Sequence, residues 1–424
     1  MTRLTRKFSK LVFAAMMQVM FALFLVIIGA SAALAQNRAY ISLIGANTVA
    51  VIDTTTNTVV ATVPVGTQPG GLAVTPDGAF VYVGNRISNN VSVIDTSTNT
   101  VIATVPVGNR PTDVAITPNG AFAYVTNQLA NTVSVINTAT NTVTATVPVG
   151  SAPTGVEITA NGAFVYVANQ LSASLSVIGT ATNTVVATVP GVPFPLALTI
   201  TPNGSFIYVS TVLNGVQVVD TSTNTVIATV PVASPARSAI TPDGAFVYVP
   251  SISTNTVVVI GTASNTIVAT VAVGTAPQAL AVTPDGASVY VPNVGSNTVS
   301  VISIATNTVT ATISLGNNPF VIAFSPDAID ALTARINALI AAGALTQNQA
   351  DALLGKLDQI SAKIEAAQTN AAINQIGAFI NQVSAFIKNS SLTQAQAQPL
   401  INGAIALQVS LTAPALAPPP PPAG

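Results

Sequence analysis

Between residues 39 and 327, apolar and polar side chains alternate in short runs, the period-2 pattern of half-buried strands. One unit shows the order. GLAVT (71–75) reads as a strand. PDG (76–78) is a tight turn in which proline fixes φ and glycine accepts a positive φ, and AFVYV (79–83) is a second strand. Polar GNRISNN (84–90) is a loop before a third strand, VSVID (91–95). TSTN then closes a hairpin into TVIATVPV (100–107), a fourth strand rich in β-branched residues.

The unit recurs. All seven tyrosines, Tyr40, Tyr82, Tyr124, Tyr166, Tyr208, Tyr248 and Tyr290, are repeat positions, 42 residues apart except for a step of 40 between Tyr208 and Tyr248. Pro64, Pro106, Pro148, Pro190 and Pro231 mark the fourth strand. Proline cannot donate to a ladder on both sides, so that strand is an outer edge. Four short antiparallel strands per repeat with a proline-marked edge describe one blade of a β-propeller. The ends complement each other: Ala39-Tyr40-Ile41 is a second strand without its first, and FVIAFSPD (320–327) is a first strand without its second. The expected fold is mainly β, a seven-bladed propeller closed by N- and C-terminal strands of one shared blade.

After Asp327 the apolar period becomes 3.6. Ile329, Leu332, Ile336, Leu339 and Ile340 share a face, followed by a seam of Leu353, Leu357, Ile360 and Ile364. Ile373, Ile376, Ile380, Val383 and Ile387 mark a third helix, and Leu400, Ile401 and Ile405 a fourth. Thr346…Gln349 and Thr393…Gln396 have capping-box spacing. A small antiparallel α-helical bundle follows. The domains read 1–35 signal peptide, 36–327 propeller, 328–411 helical domain and 412–424 proline-rich tail. The first is read from a basic start (Arg3, Arg6, Lys7, Lys10), an apolar run and the site Ala33-Leu34-Ala35. It predicts an extracytoplasmic protein, in the periplasm, on the cell surface or secreted, touching membrane only through that segment if it stays uncleaved.

The phrases TPNGAFAYVTN (117–127) and NTVSVINTATNTVTATVPVG (131–150) resemble the YVTN-type β-propeller repeats of exported and surface-layer proteins. NAAINQIGAFINQVSAFI (370–387) with LTQAQAQPLI downstream resembles the FIMAH type of helical domain. Both resemblances imply architecture, and neither implies an activity.

Composition narrows the chemistry. Only 6% of residues are charged, and the chain has no Cys and no His, which excludes thiolate and imidazole catalysis and Zn sites of the Cys/His type. From Gln36 to Asp327 nine acids face four arginines, the wrong sign for a nucleic-acid partner. Most acids occupy turn positions that Asn, Gly or Ser also fill, so they read as structural. Loops joining strand two to three, and strand four to the next blade, share one face. That face collects the residues that depart from the repeat, giving Arg86, Arg110, Asp113, Arg237, Asn127, Gln128, Asn169, Gln170 and Asn293 as candidate binding residues. Glu157, in an inner strand where other repeats carry Ala, Thr or Ile, is a weak candidate metal ligand in the channel.

The sequence therefore points to an exported, non-enzymatic binding or cell-surface protein. Its loop face would meet a protein, glycan or cell-envelope partner, with no cofactor. One alternative is a propeller enzyme, a metal-assisted lactonase-like hydrolase or a quinoprotein, with its site in the central channel. The other is a structural surface-layer or matrix component.

Overall fold

The computed structural model describes residues 38–412. The leader read at 1–35 lies outside the described residues, as does the proline-rich tail apart from Thr412. Among the described residues no helix is long and apolar enough to cross a membrane.

Among the described residues, twenty-eight strands form seven four-stranded antiparallel sheets. Blade 2 shows the plan. β4 (Pro69–Val74) is innermost, then β5 (Phe80–Asn85), β6 (Asn90–Asp95) and β7 (Thr100–Pro106) at the outer rim. The prolines thus sit on the edge strand, as expected. Blade 1 is built from both ends of the propeller, in the order β28 (Pro319–Phe324), β1 (Arg38–Leu43), β2 (Thr48–Asp53), β3 (Thr58–Pro64). Ala39 pairs with Phe324, Tyr40 with Ala323 and Ile41 with Ile322. The ring is closed, and the free edges of the inner strands border the central channel.

The repeated words have local causes. In the turn after each inner strand, the Asp or Asn side chain ties the chain to itself. Asp77 accepts from the Thr75 hydroxyl at 2.6 Å and the Ala79 amide at 3.0 Å, and Asn119 does the same for Thr117 and Ala121. Gly78 has φ +70° there. In TNT the asparagine is left-handed, as at Asn57, Asn141 and Asn183 with φ between 52° and 55°, a conformation Asn tolerates better than most residues. Its Oδ1 accepts a hydrogen bond from the tyrosine of the preceding blade: Tyr82 to Asn141 and Tyr124 to Asn183, both at 2.6 Å. One tyrosine per blade fills the wedge between sheets, and all but Tyr40 fasten it with the hydroxyl; Asn99 Oδ1, the matching acceptor for Tyr40, is buried without a partner among the described residues.

Four helices follow: α1 (Ala328–Ala341), α2 (Gln347–Glu365), α3 (Thr369–Lys388) and α4 (Gln394–Thr412). Both capping boxes form; Thr346 Oγ1 receives the Gln349 amide while Gln349 returns to the Thr346 amide. The helices bury one another around Leu332, Ile336, Leu353, Leu357, Ile376, Val383 and Leu400. Phe379 and Phe386 lie deeper in that core than Ile380 and Ile387, rotating the α3 seam one position from the isoleucine stripe. At the propeller side, Arg335 Nη2 donates to the Asp77 carbonyl at 3.2 Å and stands 3.7 Å from its carboxylate.

Candidate functional site

The inner strands line the central channel, and their residues fall into ranks. Counting from the proline that opens each strand, the third position holds Gly71, Asp113, Gly155, Ala197, Arg237, Ala279 and Val321. Small residues dominate this rank. Its two charged members, from blades 3 and 6, form an ion pair, Arg237 Nη2 to Asp113 Oδ2. The pair spans the channel. Asp113 lies within β8 (Pro111–Ile116) rather than in a loop, its side chain 2% exposed.

Asp113 is fully engaged. Its Oδ1 accepts from the Val114 amide at 2.7 Å, and Oδ2 accepts from the Val156 amide at 3.0 Å in the neighbouring blade. Thr126 Oγ1, the threonine of YVTN, receives the Asp113 amide at 3.0 Å. Gly71 makes room for it: a Cβ there would stand 2.6 Å from Asp113 Cα and Oδ1.

Arg237 separates two spaces. Below it lies a cavity of about 500 Å³ lined by inner strands, including Glu157, Thr199 and Ser238. Glu157 sits on β12 (Pro153–Ile158), two residues along from its rank-mate Gly155, where most other blades have Ala. Burial, and after it the Asp113 charge, push its pKa up to about 8, against a lowering pull from Arg237. Arg237 stays cationic, because the Asp113 charge and hydrogen bond and the Glu157 charge outweigh its desolvation.

Above Arg237, at the loop face, is a smaller space of about 240 Å³. Arg86, Arg110, Gln128, Gln170 and Gln278 line it, with Phe320. Arg86 lies over the Phe320 ring, its Cζ 4.5 Å from the centroid. Burial, then repulsion from Arg110 and Arg237, lowers its pKa to about 10.

The expected binding residues therefore divide. Arg86, Arg110, Gln128, Gln170 and Arg237 meet at the mouth of the channel, and Asp113 lies just beneath. Asn127, Asn169 and Asn293 are completely buried inside their blades. Their amides donate to Ser134, Ser176 and Ser300 at 2.9–3.0 Å, and each packs where a Cβ on Gly108, Gly150 or Gly274 would intrude. They hold strands together and face no partner. Gln278 and Phe320 were not singled out from sequence. Ranking all seven inner strands from their prolines would have exposed both, and would have put Asp113 opposite Arg237.

No group of three or more Asp, Glu, Cys or His side chains among the described residues could hold a metal ion. Glu157 contributes one carboxyl and the Asp113 oxygens are already taken, so the channel does not fit a metal-assisted reading. A groove of about 400 Å³ between blades 4 and 5 carries no charged lining residue and offers no chemistry.

Comparison with known proteins places this architecture. The model described as "YNCE-like beta-propeller" matches residues 112–238 and 218–357, together more than half of the chain. The chain belongs to the YNCE-like β-propeller family. A second model, "Lactonase, 7-bladed beta-propeller", matches 47–147, and the FIMAH domain matches 329–408, the helical bundle. No curated protein matches this YNCE-like propeller. Among solved structures it is similar to hydrazine synthase of Kuenenia stuttgartiensis, with 27% identity, 63% of this chain and 92% of that one covered, and a TM-score of 0.58. It is also similar in fold to a candidate 6-phosphogluconolactonase from Bacteroides uniformis, with 19% identity, 68% and 99% coverage and a TM-score of 0.58. A protein of unknown function from Desulfotomaculum acetoxidans gives 18% identity, 69% and 99% coverage and a TM-score of 0.61.

These matches correct the expectation that the chain is not an enzyme. The lactonase model over 47–147, with the likeness to hydrazine synthase at 27% identity, turns the balance toward catalytic propellers. The expectation rested on the leader, the duplicated template and the missing catalytic residue types; a carboxyl surrounded by protein can still titrate near neutrality and act as a general base.

Proposed function

We propose that this YNCE-like propeller is a hydrolase of lactone-type cyclic esters, working in the channel cavity below Arg237. The observation that carries the reading is Glu157. It is a carboxyl with a pKa of about 8, in a cavity of small-molecule size, within electrostatic reach of an arginine held in place by Asp113. The lactonase-model match over 47–147 supports the substrate class.

The chemistry needs no residue type the chain lacks. Ionised Glu157 accepts a proton from water as the water oxygen bonds to the acyl carbon. The carbonyl oxygen becomes an oxyanion facing the Arg237 guanidinium, which Asp113 keeps oriented and charged. The ring C–O bond then breaks. Glu157 returns its proton to the leaving alkoxide, and the product is an open-chain hydroxy acid. The leader read at 1–35 makes extracytoplasmic action part of this proposal.

The test is a pH-stat assay of the full chain against aliphatic γ- and δ-lactones. Turnover that falls at least about 100-fold in Glu157→Gln is expected, as for loss of a general base. Full turnover in that variant, or none in the parent protein, sinks the reading.

A further inference from the structure

The mouth above Arg237 differs in chemistry from the cavity below it. Three guanidinium groups share this space, and the carboxylate beside them, Asp113, is spent on Arg237 and two backbone amides. Arg86 and Arg110 have no carboxylate within ion-pair distance among the described residues. Their guanidinium groups make no hydrogen bond there either, and Arg86 Nε is buried without a partner. Burying a cation unpaired is costly, and like charges beside it add to the cost.

The fold nonetheless builds this placement. Gly70 leaves the space that Arg86 uses, since a Cβ on it would come within 2.8 Å of Arg86 Nε. The Phe320 ring holds the guanidinium from its face. The Arg110 backbone is fixed in a left-handed turn, φ 58°, by its amide donating to Asn89 Oδ1 at 2.9 Å. Arg86, clamped between Phe320 and Gly70, and Arg110, set at the exposed rim by its turn, direct two cations toward one space.

We infer that the loop-face mouth binds the carboxylate of a small organic acid, held between Arg86 and Arg110. A planar carboxylate matches the guanidinium fork, and this chain already shows Arg237 taking one. Phe320, Leu196 and Ile252 give the space an apolar side for the body of the acid, and Gln128, Gln170 and Gln278 supply amide donors at the rim. A fully hydrated tetrahedral phosphate would leave that apolar side unused. The inference stands whether or not the cavity below hydrolyses esters.

Calorimetric titration of the full chain tests it, with hexanoate, hexanamide and inorganic phosphate as probes at fixed ionic strength. Hexanoate is expected to bind saturably at one site and hexanamide at least about tenfold more weakly, because hydrogen bonds to a charged group carry the affinity. Arg110→Gln, at an exposed position that leaves the fold intact, should weaken hexanoate about tenfold or more, and Arg86→Gln likewise. Equal binding of hexanoate and hexanamide, an unchanged Arg110→Gln, or no hexanoate binding at all would overturn the site. Tighter binding of phosphate than of hexanoate would overturn the carboxylate assignment.

Discussion

The hydroxyl of Tyr290 donates to Asn57 Oδ1 at 2.6 Å, joining the last complete blade to the blade shared by both ends. The same bond links Tyr124 to Asn183 between interior blades, also at 2.6 Å. The seam carries the same fastening as the interior junction between blades 3 and 4. Tyr290→Phe and Tyr124→Phe should each lower stability by about 1 kcal/mol, the net value of one such hydrogen bond. Denaturant midpoints would check this, and an undiminished midpoint for Tyr290→Phe alone would mean the seam carries no bond.

The cross-channel pair should matter to folding as well as to chemistry. Asp113→Ala strands the Arg237 charge and two backbone amides, so a loss of about 3 kcal/mol is expected. Replacing Asp113 and Arg237 together by Ala should cost less than the sum of the single changes. Strict additivity in that double-mutant cycle would show that the two side chains do not interact.

Glu157 makes a pH prediction with a definite sign. Its pKa rises from an ordinary 4.5 to about 8 on folding, so between those values the folded chain holds a proton that the unfolded chain has released. Folding is then disfavoured progressively as pH rises through that window, and the penalty levels off above about 8. Glu157→Gln should flatten this slope in a melting series from pH 5 to 9. Under the proposed hydrolysis, activity moves the opposite way, rising with pH toward a plateau above about 8 as Glu157 ionises.

Gly71 offers a steric test. Alanine there would place a methyl 2.6 Å from Asp113 Cα, against backbone that cannot rotate aside. A loss of about 1–3 kcal/mol is expected, the usual range for overpacking. Gly355, with nothing near its missing Cβ, is the natural control, and Gly355→Ala should not destabilise. Thermal melts of the two variants decide it.

The architecture was legible because its causes are local and repeated. A tyrosine, a left-handed asparagine and a Thr-Pro-Asp-Gly turn each do the same work in blade after blade, so spacing alone revealed the ring. Asn127, Asn169 and Asn293 misled because variation in a loop-like phrase resembles exposure. The facing glycines, distant in the repeat, let these side chains sink into the blade. The Asp113–Arg237 pair was hidden for a different reason. Its members are distant in sequence and become neighbours only when curvature brings blade 3 opposite blade 6. In the helices, the isoleucine stripe concealed that Phe379 and Phe386 are the residues that fill the core.

Val321 donates its amide to Ser42 Oγ at 3.1 Å across 279 positions of chain. The first sheet to leave the ribosome is consequently the last to be finished. Throughout N-to-C synthesis, one flank of β1 stays bare and able to recruit the wrong strand. Rejoining the chain so that it begins and ends between two interior blades would turn this distant pairing into a near one. Such a permuted propeller should reach its native state faster while ending no more stable.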